Sequence, residues 1–180
     1  TQDDDHYEQA MGAMDAGYDL LLEKPVSNSM DEITAIEQKA TELRRRVVVC
    51  HVLRYSQFYL KVKQLIDDGV LGDLVSVHAI EGVGAGPFAH SFVRGHWAVT
   101  EETSPMILAK CCHDMDLLHW LIGHDCHSIA STGSLHHFRP ENAPEGAPER
   151  CHQGCPVGDA CEYNAKHYLE KEGRGWLAMV

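Results

Sequence analysis

The sequence has no excess of positive charge, no long apolar run and no internal repeat. Each absence removes a class of function. Lys and Arg number 15 against 27 Asp and Glu, a net charge of −12. A surface that grips a phosphate backbone needs clustered Lys and Arg, so nucleic acid is not an expected partner. The one basic run, Arg44-Arg45-Arg46, falls at a helix end, where cations favour the helix dipole. No stretch approaches the roughly 20 apolar residues that span a bilayer, so no membrane partner is expected. Thr1-Gln2-Asp3-Asp4-Asp5 is acidic and polar, which is not the pattern of a secretory leader. A cytoplasmic location is expected. The glycine-rich loop Gly82, Gly84, Gly86, Pro87 reads with no helix directly behind it, so it is not a phosphate cradle.

What is present is enough for a real core. The chain has 180 residues, 44% of them hydrophobic, which suits one domain or one and a half. It opens without an initiator Met and ends on the apolar Trp176-Leu177-Ala178-Met179-Val180. Both ends read as cuts through a longer chain.

The pattern of elements is α/β. Ala10, Met11, Met14 and Gly17 fall at helical spacing and predict a helix over 6–17, stopped by Gly17. Residues 18–22 read as a strand. Ile33, Ile36, Ala40 and Leu43 predict a second helix over 31–45, capped by Ser29 or Asp31. The β-branched run 46–52 reads as a buried strand. Strand, helix and strand at this spacing make a parallel βαβ unit. Further on, the patterns predict a helix over 59–68, a strand over 74–80, a long helix over 104–122 and a strand over 128–137. Gly69 and Gly123 stop the two helices, and Ser104-Pro105 opens the long one.

The most telling tripeptide is Glu23-Lys24-Pro25, which follows the apolar run Leu20-Leu21-Leu22. A lysine at the carboxyl end of a strand in an open α/β sheet points into the crevice where ligands bind. The proline fixes the backbone there. Other motifs follow in order: Arg54-Tyr55 after the second strand, the turn Gly69-Val70-Leu71-Gly72, and His113-Asp114-Met115-Asp116 in the long helix.

Taken together, Thr1, His6-Tyr7, Glu23-Lys24-Pro25, Arg54-Tyr55, Gly69-x-x-Gly72 and His113-x-x-Asp116 resemble the Gfo/Idh/MocA oxidoreductases. The resemblance covers most of residues 1–138. It implies a Rossmann-like parallel sheet followed by an α+β domain with a large, mostly antiparallel open sheet. Residues 1–53 would be the remnant of an NAD(P)-binding domain. Residues 54–180 would be a truncated substrate and oligomerisation domain, with a cysteine-rich loop at 140–163. The resemblance implies Lys24 and His113 as catalytic groups. It implies Thr1, His6, Glu23, Lys24 and Pro25 at the cofactor, and Arg54 and Asp116 at the substrate.

The sequence departs from the family in two ways. The glycine fingerprint for the pyrophosphate is absent, so the chain alone is expected to bind dinucleotide weakly and not turn over. Many members carry Asp four residues before the motif His, where this chain has Ala109 with Lys110 beside it. Lys110, His113 and Asp114 lie near one helical face. This suggests a Lys110–His113 pair in place of an Asp–His pair, and Lys110 joins the catalytic candidates. Oxidising a hydroxyl needs a base that titrates near the working pH. Histidine meets that unperturbed, lysine only when burial or a second cation lowers its pKa.

Seven cysteines are present, and Cys151, Cys155 and Cys161 cluster in a loop rich in Gly and Pro. Thiols kept reduced inside a cell favour metal over disulfides. Three thiolates and a fourth donor, such as His152, His136 or His137, would suit structural zinc. Free thiols in a loop covering the substrate are the other reading.

The function expected is NAD- or NADP-dependent hydride transfer on a sugar, polyol or related carbohydrate, in a homo-oligomer built on the open sheet. A redox-neutral NAD-dependent glycosidase or lyase on the same scaffold stays open, as does a non-catalytic assembly protein.

Overall fold

The computed structural model describes residues 1–166. They form two compact units. The first comprises Thr1–Gly82 and His96–Ile129; the second comprises Val83–Gly95 and the described residues from Ala130 on. The boundary expected between residues 53 and 54 falls inside the first unit.

The first unit opens with a 3-10 turn at Asp3–Asp5 that runs into α1, His6–Asp15. Ala10 and Met14 are one helical turn apart and face inward, Met14 with only 1% of its surface exposed. Gly17, at φ +90°, takes the left-handed conformation that ends the helix. β1, Leu20–Leu22, follows. Ser29 then caps α2, Met30–Glu42, its hydroxyl accepting from the Glu32 N–H. β2, Val47–Val49, pairs parallel with β1 in the register Leu20↔Val47 and Leu22↔Val49. Ala10, Met14, Leu22 and Ile36 make the core, flanked by Tyr7, Val26, Leu43 and Val47. The strand–helix–strand reading thus holds, with elements a few residues shorter than expected.

A 3-10 turn at Val52–Tyr55 leads to α3, Gln57–Asp67, capped by Ser56. The long helix expected over 104–122 is broken. α5 covers Met106–Ala109 and α6 covers Cys112–Ile122, with Lys110 and Cys111 between them. Ser104 is not its cap, since Pro105 takes the N-cap position of α5. Gly123, at φ +72°, ends α6.

The expected large antiparallel sheet is not present among the described residues, where β1 and β2 form the one sheet. The segments 74–80 and 128–137 make no ladder. A strand exists only with a partner to share its hydrogen bonds. Here the apolar side chains of these segments stand in the open, Val75 at 95% and Ile80 at 82% exposure.

In the second unit, α4 is a single turn, Ala85–Phe88, continuing into a π-turn at Ala89–Val93. The glycine-rich run therefore overlaps a helical turn of four residues, with Gly86 and Pro87 inside it. Phe88, Phe138 and Tyr163 pack as an aromatic cluster, with ring centroids 5.4 Å and 4.9 Å apart in turn. No helix among the described residues is long and apolar enough to cross a membrane.

Candidate functional site

The site is built where β1 and β2 end. Because the strands are parallel, their carboxyl ends lie side by side, and the Cys50 N–H continues the ladder onto the Leu22 carbonyl at 2.8 Å. The next residues are Glu23-Lys24-Pro25 on one strand and His51 on the other. The Lys24–Pro25 bond is cis. His6, only 2% exposed, donates from Nδ1 to the Pro25 carbonyl at 2.8 Å and so holds the turn from below.

A second clamp fixes the other side of the turn. Asp3 is buried, and its Oδ2 accepts from Trp97 Nε1 at 2.8 Å and from the Ser104 hydroxyl at 2.5 Å. The same hydroxyl lies 2.6 Å from the Asn28 side-chain amide. One buried node therefore ties the first turn, the loop before α2 and the segment entering α5.

The helix break is the third part. In an unbroken helix the His113 N–H would close onto the Ala109 carbonyl. It lies instead 3.3 Å from the Lys110 carbonyl. The Ala109 carbonyl, on a buried residue, accepts from Lys24 Nζ at 2.8 Å. The lysine thus satisfies a group that the break sets free, and it bridges two segments 85 residues apart in sequence.

This contact brings Lys24 to the start of α6. Burial first, then the neighbouring Lys24 ammonium and the His51 ring, hold the His113 imidazole below the usual histidine range. Asp114 and Asp116 pull the other way. His51 and His113 meet edge to face with centroids 5.7 Å apart. His51 Nε2 lies 3.9 Å from Asp116 Oδ1. Arg54 grips the same carboxylate with two bonds, Nε at 2.7 Å and Nη2 at 2.5 Å, and its guanidinium lies over Trp120. Burial also pushes the Cys112 thiol up, against the pull of Lys24. An open cavity of about 550 Å³ is lined by His51, Ile107, Leu108, Cys112, Met115 and Asp116 among others. Neither Lys24 nor His113 lines it, but His51 and Cys112 beside them do.

The remaining candidates fall as follows. Lys24, His113, Arg54 and Asp116 gather in one cluster. Lys110 is exposed at the helix break, and the charges that act on His113 are those of Lys24, His51, Asp114 and Asp116. Arg54 and Asp116 face each other, which occupies both charges. His6 and Pro25 are buried supports of the turn, while Thr1 and Glu23 are exposed. The structure does not show the expected zinc site. Cys151, Cys155 and Cys161 are free, half-buried thiols, and no three metal-binding side chains converge among the described residues. The loop is fastened otherwise, by Arg94 donating to the Tyr163 carbonyl at 2.5 Å and Asn164 to the Gly158 carbonyl at 3.0 Å.

His51 escaped the sequence reading because it looked like the next residue of a strand. The signal was available in the pairing: a parallel partner of Glu23-Lys24-Pro25 must end next to it.

The chain is similar to known proteins. Putative oxidoreductase YteT of Bacillus subtilis is 25% identical over 169 residues, covering 92% of this chain and 39% of that protein. An inositol 2-dehydrogenase/D-chiro-inositol 3-dehydrogenase of Lactiplantibacillus plantarum is 27% identical over 69% of this chain and 33% of its own length. The chain thus spans between about a third and two-fifths of these relatives. Scyllo-inositol dehydrogenase of Lactobacillus casei, solved with bound cofactor NAD(H) and scyllo-inositol, shares the fold. Its TM-score is 0.55 at 23% identity, over 68% of this chain and 36% of that one. The family description "GFO/IDH/MocA C-terminal domain" matches residues 59–160, more than half of the sequence. The chain belongs to the GFO/IDH/MocA family.

Proposed function

We propose that this chain carries the substrate side of an NAD(P)-dependent oxidoreductase that acts on a sugar, polyol or related carbohydrate by hydride transfer. One observation carries the reading: Lys24 Nζ, just past the end of β1, donates to the Ala109 carbonyl at the helix break that leads into His113. The names of the inositol dehydrogenase relatives support the substrate class.

The donor set fits a nicotinamide nucleotide at its ribose end. His113 Nδ1 and His51 Nδ1 are buried without partners among the described residues, beside a charged lysine and an open cavity. Lys24 would hold a ribose or substrate hydroxyl, with Glu23 and Thr1 nearer the solvent. The nucleotide would supply the acceptor for the hydride. The chain's own residues do the rest. His113 takes the hydroxyl proton, so the O–H bond breaks and an N–H bond forms while the C–H hydride departs with its electron pair. A base held below the usual histidine range is neutral and ready at neutral pH. Lys24 stabilises developing negative charge on the oxygen.

The exposed apolar segments 74–80 and 128–137 support a further reading, that they are strands of a larger open sheet whose partners come from elsewhere. An oligomer assembled on that sheet, and residues 1–53 serving as part of a nucleotide domain, belong to the same proposal.

The test is turnover of sugars and polyols with NAD⁺ or NADP⁺ by a protein that joins this chain to a nucleotide-binding domain carrying the glycine fingerprint, followed as NADH or NADPH formed. His113→Gln should lower kcat/KM by about 10²–10⁴-fold, the usual contribution of a positioned base. Full turnover by that variant refutes the role of His113. Cleavage of a glycosidic bond without net NADH would replace the dehydrogenase by a redox-neutral hydrolase or lyase.

A further inference from the structure

His51 has no role in the reaction described so far, yet it stands between the two acidic and basic halves of the cluster. Its ring meets His113 edge to face at 5.7 Å. Its Nε2 lies 3.9 Å from Asp116 Oδ1. Its Nδ1 is buried without a partner among the described residues, as is Nδ1 of His113. His51 also lines the open cavity that His113 does not.

The groups facing this pair come from three segments. Lys24 faces His113 from the turn after β1. His51 comes from the segment after β2. Asp114 and Asp116 act from α6 itself, and Arg54 already pairs with Asp116. Two protonated imidazoles this close repel each other, so a proton on one ring disfavours a proton on the other. Asp116 breaks the symmetry, because the ion pair in reach is with His51.

We propose that His51 is a positioning residue for the base at His113: set between Asp116 and the His113 ring, it limits the two imidazoles to one proton and keeps His113 free to accept the substrate's. When His113 takes that proton, the substrate O–H bond breaks and an N–H bond forms. A proton held on His51 then leaves to solvent through the cavity His51 lines. The direction of the His113 shift agrees, since His51 is one of its causes.

The proposal rests on His113 being the base, but its test reads no turnover. The ring Hε1 resonances of isotopically labelled histidine are titrated by NMR in the protein and in His51→Gln. Two outcomes are expected together. His113 in the unaltered protein follows a curve broader than a single site. In His51→Gln its protonation constant rises by about threefold or more, which is the Coulomb interaction of two unit charges at 5.7 Å even at water's dielectric. A single-site curve for His113, or an unchanged midpoint in folded His51→Gln, overturns the proposal. Should His51→Gln fail to fold, the curve shape of the unaltered protein decides alone. A normal kcat/KM in His113→Gln would remove the oxidoreductase reading and leave the coupled rings standing, so the two failures are distinct.

Discussion

Replacing Lys24 by methionine keeps the length of the side chain and removes its charge and its donors. The bond lost is charge-assisted, to a carbonyl that the break between α5 and α6 leaves without a helical partner. Such bonds contribute about 1.5–3 kcal/mol, and an abandoned buried carbonyl costs a similar amount. Lys24 is half-buried, so water replaces part of the loss, and about 1–2 kcal/mol is the expected destabilisation. For a chain of this size that lowers Tm by about 2–8 °C. A second effect accompanies it. Lys24 is the largest single charge holding His113 down, so Lys24→Met should let His113 protonate at higher pH. Thermal unfolding reads the first effect and histidine NMR the second. Lys24→Arg keeps the charge and should restore much of the second. Unchanged Tm together with an unchanged His113 midpoint would refute the bridge between the turn after β1 and the break at the end of α5.

Three other outcomes follow from the packing and the charges. Met14→Ala should cost about 2–5 kcal/mol in denaturant unfolding, because Met14 is enclosed by Ala10, Leu22 and Ile36. Asp116→Asn should cost about 1–2 kcal/mol by the same assay, since it weakens a bidentate pair whose arginine stays one-third exposed. Acid should destabilise the fold through His113. The unfolded chain binds this proton more readily than the folded one, so stability falls as pH drops through about 6.5, the ordinary histidine value, and the loss is complete below the folded pKa. His113→Gln should flatten that acid limb in a Tm-versus-pH series.

Much of the first unit was legible because its signals are local. Ser29 and Ser56 cap helices, Gly17, Gly69 and Gly123 stop them, and the apolar spacing of α1 and α2 faces one core. The break at Lys110-Cys111 was not legible. The run 106–122 contains no Gly or Pro, and its periodicity continues through the break. What marks the site of interruption is a tertiary contact, the Ala109 carbonyl bound by Lys24. The strands expected at 74–80 and 128–137 show the opposite case: their alternation is local, but a ladder needs a neighbour. In the site, Lys24 and His113 were named from motif and strand-end geometry. Lys110 was paired with His113 on one continuous helix, which the structure interrupts between them, and His51 was overlooked because its importance comes from the strand paired beside it.

The central claim is that Lys24 and His113 act on each other across one site. A double-mutant cycle on kcat/KM tests it most directly, using Lys24→Met, His113→Gln and the pair in a protein that joins this chain to a complete nucleotide-binding domain. Groups acting as a unit should give a double variant within about tenfold of the worse single variant. Losses that multiply in full would show two independent residues and contradict the claim.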